Sequence, residues 1–259
     1  MGSTQPLRLA VLMADTPMPG TVAKYENYGG VFTDLFRRAV APKPLESVLT
    51  ITRHDIVSDP TAYPDLAEVD AVLITGSKHN SFDNDPWILA LVEFTKKTLA
   101  TTAPGASPSG KPVPILGICF GHQIIGRALG CPVDRSPNGW EVSVTNVDLS
   151  DAGKAFFGLE SLRIHQMHRD AVLAMPEGAT SLASTTKCPV QGMLLPGRAV
   201  TVQGHPEFTG GIVREILDVR HNLGALTDEI YQPGIDVVDS KHDGETIARA
   251  FLKFAGAHI

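Results

Sequence analysis

The sequence predicts an α/β fold with a mostly parallel sheet and helices packed on it. Short apolar runs of strand length recur through the first half of the chain. They are nearly continuous, as strands covered on both faces are. Segments with apolar residues at helical spacing fall between them, and alternating strands and helices build parallel sheets through crossovers. Hydrophobic residues make up 43% and charged residues 19% of 259 residues, enough for a sizeable core. At roughly 150 residues per domain the length allows one large domain or two small ones. With no internal repeat or composition break, residues 1–259 read as a single domain.

Residues 7–14 (LRLAVLMA) form the first strand candidate. Residues 47–52 alternate and are rich in β-branched side chains. Residues 69–75 and 113–118 give the third and fourth strands. Residues 30–40 carry Phe32, Leu35, Phe36 and Ala39 on one helical face. A second helix opens at Asp85-Pro86-Trp87, where Asp85 suits the N-cap and Pro86 the first helical position. Ile88, Leu91, Val92 and Leu99 continue its apolar stripe. A third helix covers 121–129 and stops at Gly130. Residues 101–112, rich in Pro, Gly, Ser and Thr, read as a surface loop. From 140 to 204 the pattern shifts to short strands at 141–147, 161–165, 171–175, 191–195 and 199–203, which predicts hairpins or a mixed edge. Helices at 210–222 and from about 243, with Ile247, Ala250, Phe251 and Phe254 on one face, close the chain.

Several function classes drop out. Twenty-two Lys and Arg against 28 Asp and Glu give a net charge of -6 with no basic block, a poor basis for nucleic-acid binding. No apolar run reaches the ~18 residues of a membrane span. The polar start has no signal-peptide pattern. Cys119, Cys131 and Cys188 are odd in number and far apart, so neither a disulfide framework nor a zinc CxxC pair is expected, and a reducing cytoplasmic setting is the default. No phosphate-binding loop or dinucleotide fingerprint is present, so no cofactor is expected. His165 and His168 lack a third ligand pattern, and no metal is expected.

The sharpest motif is Gly117-Ile118-Cys119-Phe120-Gly121-His122-Gln123. A strand ends on Gly-x-Cys-x-Gly and a helix begins, the sulfur form of a nucleophile elbow. Glycines on both sides permit a tight turn that lifts the side chain above the sheet. The helix N-terminus behind it favours a thiolate. A core cysteine is the usual fate of a free thiol, but it does not explain two flanking glycines. A thiolate needs a base, and the base an orienting group. His205-Pro206-Glu207 follows the strand at 199–203. Residues two apart in extended chain point the same way, so Glu207 can hold His205 in one tautomer.

The elbow, followed about 85 residues later by Gln203-Gly204-His205-Pro206-Glu207, resembles the class I (triad-type) glutamine amidotransferases. Ile74-Thr75-Gly76-Ser77 and Asn84-Asp85-Pro86-Trp87 make it most similar to the stand-alone γ-glutamyl peptidases of that family. The resemblance implies a flavodoxin-like core with helices on both faces. It implies Cys119 as nucleophile, His205 as base and Glu207 as orienter, with the backbone N–H groups of Gly76 and Phe120 as oxyanion hole. It also implies that the stretch containing Met167, His168 and Arg169, together with Gln123, holds the α-amino and α-carboxylate ends of a small-molecule γ-glutamyl substrate. Many amidotransferases carry Phe at the position of Gly204, so a glycine there is expected to free space beside His205 for a leaving group larger than ammonia. Tyr25 to Gly30 overhangs the strand ends, as pocket wall or core lid.

The leading expectation is a hydrolase of γ-glutamyl amides (γ-glutamyl peptides, glutathione conjugates or glutamine) acting through a thioester. A tailoring enzyme using the same three residues on another acyl group is a related reading. A glutaminase subunit that feeds ammonia to a synthase partner is the alternative, and a non-catalytic binding protein on this scaffold is the third.

Overall fold

The computed structural model describes residues 5–101 and 112–259. Most of the expected loop at 101–112 lies outside them. The chain runs through β1 (Leu7–Met13), α1 (Pro19–Tyr25), α2 (Tyr28–Val40), β2 (Leu49–Asp55), β3 (Ala71–Ile74), α3 (Pro86–Ala100), β4 (Ile115–Ile118) and α4 (Phe120–Ala128). It continues through β5 (Val133–Arg135), β6 (Glu141–Leu149), α5 (Asp151–Phe157), β7 (Ser161–His168), β8 (Asp170–Val172), β9 (Thr180–Ser184), β10 (Gly192–Leu195) and β11 (Ala199–Val202). Helices α6 (Gly210–Asn222), α7 (Asp228–Asp236) and α8 (Gly244–Phe254) follow.

The described residues form a nine-stranded sheet in the order β2-β1-β3-β4-β11-β10-β9-β6-β7, and β5 pairs with β8 separately. The first five strands are parallel and follow the flavodoxin-like order. From β11 outward the pairings are antiparallel. The mixed edge expected from the short strands is therefore real.

Strands β1, β3, β4 and β11 of the parallel half divide their side chains between two cores, while the edge strand β2 contributes to one of them. Leu9 and Val11 face Phe32, Leu35 and Phe36 of α2 and Ile247 and Phe251 of α8. Ala10 and Leu12 face Ile88 and Leu91 of α3 and Ile124 and Ile125 of α4. Burying each large aliphatic or aromatic side chain stabilises the fold by about 1.5–3 kcal/mol. A one-residue slip would exchange the two faces, so the register is strongly specified.

That register sets the site. Ile74 lies opposite Gly117, and Ile118 opposite Val202. The chains that leave β3, β4 and β11 therefore emerge side by side at the carboxyl ends of the strands, where open α/β sheets bind ligands.

Several elements depart from the expected pattern. Helix α3 starts at Pro86 as expected, but the Asp85 side chain makes no capping hydrogen bond. Instead Arg127 Nη1 donates to the carbonyls of Ser81 at 2.7 Å and Asp83 at 2.6 Å, fixing the loop before α3. Strands β6 and β7 run longer than expected, pairing from Glu141↔His168 to Asp148↔Ser161. Helices α1, α5 and α7 and strands β5 and β9 were not expected. Helix α5 is short, and Ser150 Oγ caps it by accepting from the Gly153 N–H at 3.0 Å. No helix among the described residues is long and apolar enough to cross a membrane.

Candidate active site

Cys119 occupies the single residue between β4 and α4, with φ 48° and ψ -101°. A positive φ on a non-glycine residue costs about 1–3 kcal/mol and persists only where the surroundings impose it. Here the Cys119 N–H donates to Val202 O at 3.0 Å, and the Gly121 N–H to Thr75 O at 3.2 Å. A Cβ on Gly121 would strike the Ile74 carbonyl oxygen, so only glycine allows α4 to start against β3. The turn leaves the sulfur at the first turn of α4, and Cys119 is only 5% exposed. Gln203 Nε2 donates to Cys119 Sγ at 3.5 Å.

His205 reaches the same place from β11. Its N–H donates to His165 O at 2.7 Å, a bridge to β7. Its Nδ1 lies 2.8 Å from Glu207 Oε1. Its ring stacks on Phe208 with centroids 3.9 Å apart and planes 2° apart. A Cβ on Gly76 would sit 2.6 Å from His205 Cε1 and 3.6 Å from Cys119 Cβ, so the end of β3 lies against both residues. Burial opposes the His205 imidazolium. The negative charges of Cys119 and Glu207, with hydrogen bonds to both, outweigh it and raise His205 to about 10. Cys119, His205 and Glu207 thus form one buried cluster. Phe120 is the first residue of α4, where an N–H has no intrahelical acceptor.

A cavity of about 220 Å³ opens over Cys119, and Gln123, Met167, His168 and Arg169 all line it. Their polar groups are largely engaged. Gln123 Oε1 accepts from Ser81 Oγ at 2.9 Å, and Nε2 donates to Asp170 O at 2.9 Å and Gln203 Oε1 at 3.1 Å. Ser81, Gln123, Gln203 and Cys119 are therefore linked in one hydrogen-bonded chain. His168 Nδ1 bonds Asp170 O at 3.0 Å, and Nε2 lies 3.2 Å from Glu141 Oε2. Met167 is buried, and the guanidinium of Arg169 lies 5.3 Å from the Trp140 ring centroid.

Residues 46–218 match the family model for glutamine amidotransferase class-I. The chain belongs to this family. It is 33% identical over 249 residues to the glutamine amidotransferase-like protein C13C5.04 of Schizosaccharomyces pombe, covering 95% of this chain and 97% of that protein. It is also 33% identical to gamma-glutamyl peptidase 2 of Arabidopsis thaliana, over 75% of this chain and 77% of the peptidase. The fold agrees with that of a glutamine amidotransferase from Thermotoga maritima, at TM-score 0.73 and 19% identity, covering 96% of this chain and 98% of that one.

One expectation for this amidotransferase-family chain is corrected. Gly204 does not open space beside His205. A Cβ there would lie 2.9 Å from His165 O and 2.9 Å from two carbons of Ile164, so the residue faces the buried β7 contact. Gly204→Ala is therefore expected to cost about 1–3 kcal/mol through overpacking, lowering Tm by several degrees. It should leave the ratio of kcat/KM for a γ-glutamyl peptide and for glutamine unchanged. Thermal denaturation and the two rates check this, and a changed ratio would return Gly204 to the pocket.

Glu141 carried no recognisable signal as a site residue, and Gln203 entered only as the first residue of the Gln-Gly-His-Pro-Glu motif, with no role of its own. Glu141 Oε1 accepts from Thr185 Oγ1 and Oε2 from Gln191 Nε2, each at 2.8 Å. Burial raises its carboxyl, but the hydrogen bond and charge of His168 outweigh this and hold it below the ordinary range. Glu141, His168 and Cys188 are buried with potential ligand atoms within 4.8 Å of one another. With both Glu141 oxygens engaged, the group reads as the polar tie between β6 and the end of β7. His165, three residues before His168, packs against His242 with centroids 4.7 Å apart.

Proposed function

We propose that this chain hydrolyses γ-glutamyl amide bonds through a γ-glutamyl thioester on Cys119. The observation that carries the reading is the buried Cys119–His205–Glu207 cluster opening onto a cavity at the strand ends. The sulfur, having passed its proton to His205, attacks the γ-carbonyl carbon. Charge develops on the carbonyl oxygen, and the N–H groups of Gly76 and Phe120 receive it. The C–N bond then breaks, and His205 gives its proton to the leaving nitrogen. A water enters and passes a proton to His205, and its oxygen attacks the thioester carbonyl. The C–S bond breaks, glutamate leaves, and the proton returns to the cysteine–histidine pair. Glu207 keeps Nδ1 protonated so that Nε2 performs these transfers. Met167, His168 and Arg169 shape the room for the α-amino and α-carboxylate groups, and Gln123 braces the wall from behind. Similarity to a protein named gamma-glutamyl peptidase supports peptides as substrates.

The test is incubation of the purified chain with glutamine, glutathione and a glutathione conjugate, scored for free glutamate. Release from a γ-glutamyl peptide by the chain alone is expected. Glutamine turnover that appears only with a second protein would point to a dependent glutaminase subunit.

The pH profile follows from His205. Its folded value, about 10, lies above its ordinary value. The proton needed by the leaving nitrogen is therefore held through the neutral range, and kcat/KM should fall only as pH approaches about 10. The same shift adds stability that is fully present below about pH 6.5 and is lost as pH rises through the folded value. A kcat/KM profile with its alkaline limb near neutrality would contradict this assignment.

A further inference from the structure

A second cavity, of about 250 Å³, adjoins the first and reaches His205. The two share Ser77, Lys78, Met167 and Arg220. In the hydrolysis proposed above, on which this inference rests, the acyl group sits on Cys119 and the leaving nitrogen faces His205. The His205-side cavity is then the room beyond the scissile bond. Ammonia would leave it empty.

Its walls state what it would hold. Met18, Tyr28, Phe208 and Ile216 supply apolar surface, and Asp15, Lys78 and Arg220 supply charge. Lys78 is neutralised within the wall, with Nζ 2.8 Å from Asp15 Oδ1. Arg220 is different. Among the described residues its guanidinium has no carboxylate partner. It lies on the Trp140 ring at 4.8 Å from the centroid, and Arg169 also contacts that ring. Burial and the nearby Arg169 charge work against it, although Cys119, Tyr28 and Asp15 favour it. A guanidinium offers five N–H donors in a fixed plane and pairs best with a carboxylate in bidentate geometry. Held in a cavity wall without one, it is suited to an anion that arrives with the substrate. Of the two arginines against Trp140, only Arg220 also lines the His205 side.

We infer that Arg220 receives the free carboxylate of the leaving amino acid, so that the preferred substrates are γ-glutamyl peptides whose leaving residue has an apolar side chain and an unblocked carboxylate. The glutamyl α-carboxylate stays on the Cys119 side, near Arg169. Glutamine has no group for Arg220, which places it among the poorer substrates.

The test compares γ-glutamyl-leucine with γ-glutamyl-isoamylamide, which differs only in lacking the leaving-group carboxylate. The wild-type chain is expected to show a kcat/KM ratio of about 10- to 100-fold in favour of the leucine compound, the scale of a charge-assisted pair. Arg220→Gln should bring the ratio close to one. Arg220→Lys, which keeps the charge and loses the planar fork, should leave an intermediate ratio. Because both substrates are read on the same sample, partial unfolding cancels from the ratio. If Arg220→Gln does not fold, the wild-type ratio, the lysine variant and stronger product inhibition by leucine than by isoamylamine still decide. Equal wild-type rates on the two substrates, or an unchanged ratio in the variants, overturn the assignment of Arg220 while leaving the hydrolase intact. Release of glutamate from neither substrate overturns the hydrolase reading, and this inference falls with it.

Discussion

Cys119→Ala should abolish glutamate release, while Cys131→Ser and Cys188→Ser should retain it. Removing a nucleophile that acts as one unit with its base costs on the order of 10⁶ in turnover. The other two thiols lack the surroundings for such a role. Cys188 is buried, its sulfur faces Val190 O at 3.6 Å, and burial together with the Glu141 charge pushes its thiol up to about 12. Burial also raises Cys131, which lies past the end of α4. Cys119 alone sits at an elbow with a histidine and a carboxylate in line. Mass spectrometry of the wild-type chain quenched during turnover should find a glutamyl group on the peptide containing Cys119. Full activity in Cys119→Ala, or the adduct on another cysteine, would remove the thioester mechanism.

The elbow and its partner were legible because each is a local pattern with a physical requirement. A strand that must end, turn sharply and start a helix needs Gly117 and Gly121 around Cys119, and the contact of Gly121 with Ile74 shows why. His205 and Glu207 lie two apart after a strand, which is enough to align them. The parallel half of the sheet was legible from its continuous apolar runs. What the sequence left hidden depends on contacts between distant segments. The facing of Gly204 is set by the bridge from His205 to His165, 40 residues earlier in the chain. Gln203 gains its role from Gln123, and Glu141 from His168, through side-chain bonds that have no periodicity. Helix α7 contains Pro233 next to Gly234, which local propensity reads as a loop. Packing of Gly234 against Val142 and Leu217 helps hold the segment helical.

Glu207→Gln should lower turnover by about 10⁴, less than His205→Ala, because the carboxylate orients a group that itself moves the proton. Glu207 is 1% exposed, and its Oε1 lies 2.8 Å from His205 Nδ1. A glutamine amide can donate to Nδ1, which stabilises the tautomer with the proton on Nε2 and points that proton at the sulfur. The ring itself should stay in place, since the Phe208 stack and the bond from its backbone to His165 do not involve Glu207. The loss should therefore appear mainly in kcat, with KM for the γ-glutamyl substrate little changed. A second readout separates orientation from simple destabilisation. The Glu207 charge is one of the causes that raise His205. Removing it lowers the pH at which His205 gives up its proton, so the alkaline limb of kcat/KM should move toward neutrality in the variant. A variant with reduced kcat but an unmoved limb would show that Glu207 acts by packing. Losses of equal size in Glu207→Gln and His205→Ala would require Glu207 to take part in the proton transfer itself.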